Sequence, residues 1–492
     1  MQLRRPLSSV ARLLVVAGWA ACLVCGAGVC AEAVFDFGGP GFQWTEVLGL
    51  VGTPVGLYQG VTFLVRRPVA GGCAFVVGVA VGVCLFQSDL GQGVGPVWTA
   101  PADRAGLEAI GDWVSGDVVI RVRPDAVTAY RLADGVVAWS WAPPGQEVVC
   151  AMSIHAAAGT GLLGYGPQGA GCDHVEALDL SAGTPRWSTP VHTTEPDADV
   201  DSDFESAGVM PGMLDMTAHA AVLQDGYGWR AVDPTDGSLL WTAQPGVHCT
   251  PLRVASAEHV VVAVAQCGSG APQVYALDSA EGRVLWRTPL PTGSDLDDLA
   301  VLSAAPAVVW VDEHAVRGVN AVLSFDATGH VRASIPIASS GDTLEIPLGD
   351  NDSTAFAARP AYGALIVDGL LIAAADHPGD ISFSQDHNGL HRDATGHLAA
   401  YSLNDGTLRW STSLDDHPDG LALEGSTVWA LSGQTIAAID AATGHRNQLI
   451  AIHHTRQIDV ADLWHTPAGF ALIAKDGTES ILTDDAPVRL LR

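Results

Sequence analysis

The chain has 492 residues, of which 48% are hydrophobic and only 16% are charged, a composition that excludes an intrinsically disordered protein. Its formal net charge of −30 excludes a nucleic-acid partner held through phosphate contacts. Residues 1–90 contain five arginines and four acidic residues, whereas the rest of the chain contains 19 basic and 50 acidic residues. This asymmetry divides the chain into a nearly neutral region, 1–90, and a strongly acidic one, 91–492.

The first region contains three uncharged apolar stretches, at about 13–31, 47–65 and 69–86. Each is long enough to cross about 30 Å of hydrocarbon as a helix. Arginines precede the first stretch, and Arg66 and Arg67 lie between the second and third, which predicts that both positions are cytoplasmic. We therefore expect an integral membrane protein of the cell membrane, with residues 91–492 on the extracytoplasmic side.

Two other interpretations of this region remain open. The first stretch has the features of a signal peptide with a small-residue cleavage site at Ala31–Ala33, and its removal would leave a two-helix hairpin with the same orientation. If instead the second stretch did not span, the large acidic region would lie inside the cell.

A motif recurs through the second region, in which glycine follows aspartate by four residues and tryptophan follows glycine by four. The complete copies are Asp179/Gly183/Trp187, Asp233/Gly237/Trp241 and Asp278/Gly282/Trp286. Copies without the aspartate are Gly135/Trp139 and Gly406/Trp410. Weaker copies lie at Asp440/Gly444, where Gln448 replaces tryptophan, and around Phe325.

Each copy has the sequence of a β-hairpin. An apolar run forms the first strand, the aspartate bonds to its own turn, and the glycine accepts a positive φ before the next strand starts. Copies are separated by about 50 residues, enough for four short antiparallel strands, and such units bury their faces by stacking radially into a propeller. Counting a terminal strand at Trp98, which would close the ring with the C-terminal strands, predicts an all-β protein of eight blades. Seven blades would follow if the copy near Phe325 were incomplete.

The repeat resembles that of PQQ-like β-propellers. That superfamily includes quinoprotein dehydrogenases and non-enzymatic members such as an outer-membrane assembly scaffold. The resemblance covers nearly all of residues 95–485 and implies that the repeat tryptophans, Trp139, Trp187, Trp241, Trp286 and Trp410, pack against the neighbouring blade.

Four cysteines of the second region form two pairs, Cys150/Cys172 and Cys249/Cys267, and each pair precedes a repeat copy. This matching placement predicts two hairpin disulfides and an oxidising compartment. Four unrelated buried thiols are the other interpretation, and no Cys-x-x-Cys spacing among the four indicates zinc.

The sequence favours a non-enzymatic protein. Dehydrogenases of the superfamily bind PQQ and calcium, and some use adjacent cysteines, but this chain contains no Cys–Cys dipeptide. We expect no cofactor, and keep a quinoprotein-type oxidoreductase with PQQ and calcium as the alternative function.

Two polar segments are candidate metal sites. Asp199, Asp201 and Asp203 alternate as in the start of a calcium loop, but Phe204 replaces the turn glycine, so a solvated acidic loop is favoured. Residues 376–397 form an insertion with His387, His391 and Asp393, whose donor types suit zinc in a sensor or hydrolase, although a polar surface loop is favoured.

We therefore expect a membrane-anchored, extracytoplasmic propeller that acts as a binding module or scaffold. Its acidic domain favours a protein, peptide or envelope ligand that carries positive charge.

Overall fold

The computed structural model describes residues 93–492 with fifteen gaps. The gaps are residues 103–106, 169–170, 193–208, 210, 247–248, 294–295, 314–317, 340–342, 347–362, 377–381, 387–388, 394–395, 415, 454–460 and 475–485. The three predicted membrane spans lie outside the described residues. Within the described ranges, no helix has the length and hydropathy needed to cross a bilayer.

The described ranges contain 36 strands. The strands of the N-terminal half are β1 (Gly93–Val94), β2 (Pro96–Thr99), β3 (Gly111–Ser115), β4 (Val118–Val122), β5 (Val127–Arg131), β6 (Val137–Trp141), β7 (Val148–Met152), β8 (Thr160–Gly166), β9 (His174–Asp179), β10 (Thr184–Pro190), β11 (Leu214–Met216), β12 (Ala221–Asp225), β13 (Gly228–Val232), β14 (Leu239–Ala243), β15 (Cys249–Ser256), β16 (Val260–Cys267), β17 (Gln273–Asp278) and β18 (Val284–Pro289). Those of the C-terminal half are β19 (Leu296–Ala304), β20 (Ala307–Glu313), β21 (Asn320–Phe325), β22 (Val331–Pro336), β23 (Thr343–Glu345), β24 (Ala364–Val367), β25 (Leu370–Asp376), β26 (Ser382–Asp386), β27 (Gly389–Asp393), β28 (Gly396–Ser402), β29 (Leu408–Ser413), β30 (Pro418–Glu424), β31 (Thr427–Ser432), β32 (Thr435–Asp440), β33 (Arg446–Ile452), β34 (Ala461–Thr466), β35 (Gly469–Ala474) and β36 (Val488–Leu491).

These strands form eight antiparallel blades, as the repeat predicts. Blades 1 to 5 are β3–β6, β7–β10, β11–β14, β15–β18 and β19–β22; blade 6 is built from β23–β25, β28 and β29; blades 7 and 8 are β30–β33 and β34–β36 with β2. The first strands of neighbouring blades contact one another, as β11 does β15 and β30 does β34, so these strands lie around the centre of the ring. The weak copy around Phe325 forms the complete blade 5, and the count is eight rather than seven.

The eighth blade takes strands from both ends of the propeller. Strand β2 pairs antiparallel with β36, and Trp98 lies opposite Leu490. Just before it, β1 pairs parallel with β33 on the outer edge of blade 7. The N-terminal segment of the propeller thus adds to two consecutive blades.

Indole rings join consecutive blades through the glycines of the repeat. The Trp139 indole donates to the carbonyl of Leu180 at 3.0 Å, and a Cβ on Gly183 would lie 2.4 Å from the Trp139 ring. The same arrangement recurs around the ring, with the indole–glycine pairs Trp98/Gly135, Trp187/Gly237, Trp241/Gly282, Trp286/Gly329 and Trp410/Gly444. The repeat therefore encodes the packing between blades as well as the hairpin within each.

The hairpin turn at Gly237 has the same form as that of the complete copy at Gly282. Gly237 has a φ of +72°, and its N–H donates to the Asp233 carbonyl at 2.9 Å. The next strand, β14, begins at Leu239, two residues after Gly237, just as β18 begins at Val284, two residues after Gly282. A Cβ on Gly237 would lie 2.9 Å from the Trp187 ring, so an indole packs against this glycine as well. The turn and the indole contact of the repeat are thus both present at Gly237.

Gly406 is an exception to the repeat. Its φ is +72°, but no indole lies over it; a Cβ there would lie 3.1 Å from the Ser334 carbonyl oxygen and 3.7 Å from Ala333. Blade 5 has a small side chain in place of the tryptophan, so backbone and Ala333 fill this junction. The repeat thus specifies the turn at Gly406 without the indole contact.

The turn aspartates bond within their own hairpins. Asp179 accepts bonds from the backbone N–H groups of Ser181 and Ala182, and the Gly183 N–H donates to the Asp179 carbonyl. Its carboxylate also accepts from the Ser181 hydroxyl and Arg186, and these bonds lower the pKa of Asp179 to about 2. The carboxylate is therefore charged, and the turn is stabilised, across the neutral range.

We call the side of the ring where the first strand of each blade begins the upper face, and the opposite side the lower face. In an antiparallel blade the first strand begins where the second strand ends, so both disulfides lie at the upper face. Cys249 and Cys267 are opposite each other in β15 and β16 and are bonded, and Cys150 in β7 is bonded to Cys172. The predicted disulfide pairs are confirmed.

Blade 6 contains two insertions, of which the sequence indicated only one. Strands β26 and β27 form a separate hairpin within residues 376–397. In addition, the first strand is divided: β23 pairs with the end of β25, and β24 pairs with its beginning. The Gly363 N–H donates to the Ile346 carbonyl at 3.0 Å and closes the base of this second insertion.

Candidate functional site

Three ionisable side chains meet at the upper face, where blade 6 adjoins blade 7. Glu345 ends β23, Asp376 ends β25 at the base of the 376–397 insertion, and His417 immediately precedes β30. One donor atom from each lies within 4.8 Å of the others, the single group of three or more potential metal ligands among the described residues. We call it the upper-face cluster.

His417 lies at the centre of the cluster. Its Nε2 is 2.9 Å from Glu345 Oε2 and 3.8 Å from Asp376 Oδ1. The Asp376 side chain is 1% exposed, whereas those of Glu345 and His417 are 16% and 22% exposed. The cluster thus has a buried carboxylate at its base and two side chains that reach solvent.

Opposing effects set the charge of His417. Burial lowers its pKa, but the hydrogen bond and charge of Glu345, together with the charges of Asp376 and Asp419, raise the pKa of His417 above its ordinary value. In the absence of a metal ion, we expect His417 to be a protonated imidazolium between carboxylates.

The backbone around His417 is held closely against blade 6. Gly396 lies opposite Asp376 in the sheet, and a Cβ on Gly396 would lie 2.5 Å from Pro418 Cδ and 2.7 Å from His417 Cα. The Leu414 N–H donates to the Gly396 carbonyl at 2.9 Å. Only glycine at position 396 permits this approach, which positions His417 over Asp376.

The residues of the repeat are not part of the upper-face cluster. Their turns join the third and fourth strands of a blade, and the third strand runs from the upper face to the lower one, so these turns lie at the lower face. The aspartates and glycines placed there are Gly135, Asp179, Gly183, Asp233, Gly237, Asp278, Gly282 and Gly406. Gly237 and its counterparts are therefore positions of the scaffold, on the side of the ring opposite the candidate site.

The candidate metal residues from the sequence are only partly described. Asp199, Asp201, Asp203 and His387 lie outside the described residues. His391 and Asp393 lie in β27, paired through the backbone with Ser384 and Ser382, and their side chains are likewise outside the description. Both metal hypotheses for these segments therefore remain predictions.

None of the three residues of the upper-face cluster was predicted as a site from the sequence. Asp376 carried a weak signal, because it ends the apolar run of β25 at the first position of the insertion. Glu345 and His417 are 72 residues apart and belong to different blades, so no local spacing connects them.

A second polar contact joins three blades. Asp215 in β11 is fully buried and accepts from the His155 backbone N–H at 3.1 Å and from the Ser256 N–H at 2.7 Å. The His155 ring Nδ1 lies 3.0 Å from Asp215 Oδ2. Here, too, a histidine ring faces a buried carboxylate, which makes His155 a comparison site for His417.

The repeat matches a known family model over part of the chain. Residues 173–381, less than half of the chain, match the family model PQQ_2, described as outer membrane protein assembly factor BamB. This segment consists of PQQ-like repeats. The resemblance stated from the sequence is confirmed, and these repeats build most of the blades from 2 to 6 of the PQQ-like propeller.

Solved structures of similar shape are distant in sequence. BamB from Moraxella catarrhalis is 12% identical, with a TM-score of 0.42 over 80% of this chain and 98% of that one. Sqt1 of Saccharomyces cerevisiae is also 12% identical, with a TM-score of 0.44 over 80% and 99% of the two chains. The quinohemoprotein alcohol dehydrogenase ADHIIG from Pseudomonas putida HK5 is 13% identical, with a TM-score of 0.45 over 77% and 71%. None of the curated proteins compared matches the sequence.

Proposed function

We propose that this protein is a non-catalytic binding module or scaffold, anchored in the cell membrane through residues 13–86, with its PQQ-like propeller on the extracytoplasmic side. The observation that carries the proposal is the match of residues 173–381 to a family model described by the name of an assembly factor. Two disulfides in the propeller support the compartment, because disulfides persist where the surroundings are oxidising.

The charge of the upper face supports a cationic partner. Carboxylates lie at the upper ends of the inner strands of blades 5, 6 and 7: Asp297, Asp298, Asp312, Glu313, Glu345, Asp376, Asp416 and Asp419. Burial, together with the charge of Asp297, raises the pKa of Asp312, a sign of carboxylates crowded together. A basic protein or peptide segment would relieve this repulsion on binding, and the field would speed its encounter.

The partner surface is tested by crosslinking in intact membranes. A photoreactive residue in place of Asp297 is expected to form a defined adduct with the partner. The yield of that adduct should fall when Asp298→Asn is added, because the Asp298 carboxylate contributes to the attraction of a cationic partner. The control is the same probe at Glu281 on the lower face, combined with Glu258→Gln; both carboxylates have highly exposed side chains. Equal adducts from both faces, or none from Asp297, would contradict the proposed surface.

The compartment is tested separately with a membrane-impermeant thiol reagent. After mild reduction, Cys249 and Cys267 are expected to react in intact cells or spheroplasts, because the propeller lies outside the cytoplasm. Reaction only after membrane lysis would place the propeller inside and overturn this part of the proposal.

A quinoprotein oxidoreductase is the second function that the superfamily implies, but the upper face does not fit its cofactor. PQQ carries three carboxylates, and the described side chains at the upper ends of the inner strands of blades 5 to 7 include the eight carboxylates named above. A tricarboxylate would be repelled there. We expect the full chain, incubated with PQQ and calcium, to retain no quinone absorbance and to reduce no electron-accepting dye.

A further inference from the structure

We propose that Glu345, Asp376 and His417 bind one zinc ion, which links blade 6 to blade 7 at the upper face. This site differs from the predicted histidines of the 376–397 hairpin, and it does not depend on the proposed partner. It uses one nitrogen and two carboxylate donors from three separate segments of the chain.

The donor spacing is close to that of a zinc site. Zinc–ligand bonds of about 2.0–2.2 Å in tetrahedral geometry place neighbouring donor atoms about 3.4 Å apart. The observed separations from His417 Nε2 are 2.9 Å to Glu345 and 3.8 Å to Asp376, on either side of that value. Shifts of about half an ångström, within the reach of side-chain rotation, would bring all three donors to bonding distance.

The donor types select the metal. Calcium and magnesium prefer oxygen donors alone, whereas an imidazole nitrogen with carboxylates suits zinc. Three protein ligands leave a fourth position, and the exposure of Glu345 and His417 indicates that it opens toward solvent. The ion would replace the proton on His417, so binding releases protons.

The scaffold holds the ligands in place before the metal arrives. Gly396 permits the His417 backbone to lie against blade 6, as described above. On the other side, the Ser432 hydroxyl donates to the Asp416 carbonyl at 2.5 Å, and the His417 N–H donates to the Asp416 carboxylate at 2.8 Å. Neither blade alone contains the full ligand set, so zinc would be expected to join them.

The test uses the full chain purified in detergent, stripped with a chelator and then titrated with zinc chloride. Thiols are alkylated first, because five cysteines precede residue 91 and would bind zinc themselves. We expect one zinc per chain by elemental analysis, and an X-ray absorption spectrum that shows one imidazole and oxygen donors without sulfur. No retained zinc, or a site with sulfur ligands, would overturn the proposal.

Variants assign the ligands. His417→Gln and Glu345→Gln are each expected to weaken zinc binding at least tenfold, and Glu345 is the safer change for folding because it is partly exposed. His155→Gln is the matched control, since the His155 ring also faces a buried carboxylate, that of Asp215, but lies outside the proposed ligand set; it should leave zinc affinity unchanged. The double variant His387→Ala/His391→Ala should also keep its zinc. Loss of zinc from that double variant would show that the ligand set is wrong. The same conclusion would follow if His417→Gln and Glu345→Gln were folded by circular dichroism and bound zinc with unchanged affinity.

Discussion

At the scale of single residues, the contact between an indole and a glycine determines how tightly neighbouring blades pack. The Trp241 ring lies over Gly282, where a Cβ would come within 2.5 Å of the ring, and its N–H donates to the Ser279 carbonyl at 2.8 Å. Gly282 also has a φ of +66°, which side chains disfavour. Two separate costs therefore oppose any replacement of this glycine.

These costs can be separated by comparing Gly282→Ala with Gly116→Ala. Gly116 has a similar φ of +60°, but nothing lies within 4 Å of its added Cβ. Backbone strain should destabilise both variants by about 1–2 kcal/mol, and displacement of Trp241 should cost Gly282→Ala about 1–3 kcal/mol more. Urea unfolding measures the difference, and equal losses would show that the indole yields without cost.

A buried glutamate makes the stability of blade 2 depend on pH. Glu176 in β9 is 6% exposed. Burial raises the pKa of Glu176 to about 7, although a hydrogen bond from Trp141 partly opposes the rise. The folded state therefore holds its proton to higher pH than the unfolded state, and stability falls as pH rises from about 4.5 to 7.

Glu176→Gln should remove this dependence. We expect the variant to match the wild type near pH 4 and to exceed it by about 1–3 kcal/mol at pH 8, where the buried carboxylate of the wild type is charged. Unfolding free energies measured across that range test the prediction. A variant less stable than the wild type at pH 8 would mean that the carboxylate makes a favourable contact there.

At the scale of strands and blades, the same register position has different chemistry in different blades. The first residue of the inner strand faces the last residue of the second strand, a pair that is Cys249–Cys267 in blade 4 and Thr343–Asp376 in blade 6. A covalent bond holds this position in one blade, and polar groups occupy it in the other. The zinc proposed at Asp376 would hold blade 6 at the corresponding point.

The blade 4 disulfide should stabilise the fold measurably. It closes a loop between residues 18 positions apart, for which restriction of the unfolded chain predicts about 3 kcal/mol. Cys249→Ala/Cys267→Ala should therefore lower the urea midpoint. Mild reduction of that double variant should then lower the midpoint only by the amount that the remaining Cys150–Cys172 disulfide contributes. A midpoint equal to that of the oxidised wild type would show that the bond adds no stability.

The sequence revealed the blades because their signals are local. Asp278, Gly282 and Trp286 lie within nine residues, and each position has its own physical reason in a turn or a contact between blades. The upper-face cluster depends on contacts across blades, and Gly396, which allows them, looks like any loop glycine in the sequence. The divided first strand of blade 6 was missed for a similar reason, because β23 is only three residues long.

At the scale of the whole molecule, ring closure makes the two ends of the propeller depend on each other. The last strand, β36, lies between β2 and β35, and its Val488, Leu490 and Leu491 are buried. Arg121 of blade 1 donates to the carbonyls of Ala474 and Pro487 and so joins blade 1 to blade 8. Loss of β36 would leave β2 and β35 without their shared partner.

A chain that ends at Ala486 tests this dependence. Removing β36 takes three buried apolar side chains from the core, each worth about 1.5–3 kcal/mol, along with two ladders of backbone hydrogen bonds. Hydrogen exchange should therefore accelerate most in β2, β34 and β35, next in blade 1, and least in blade 4, which lies across the ring. Arg492→Ala is the control, because it keeps the backbone bonds between residue 492 and Gly95 while changing only a terminal side chain. Uniform acceleration in all eight blades would mean that the ring unfolds as one cooperative unit, and unchanged exchange in β2 would show that its pairing with β36 does not hold the ring closed.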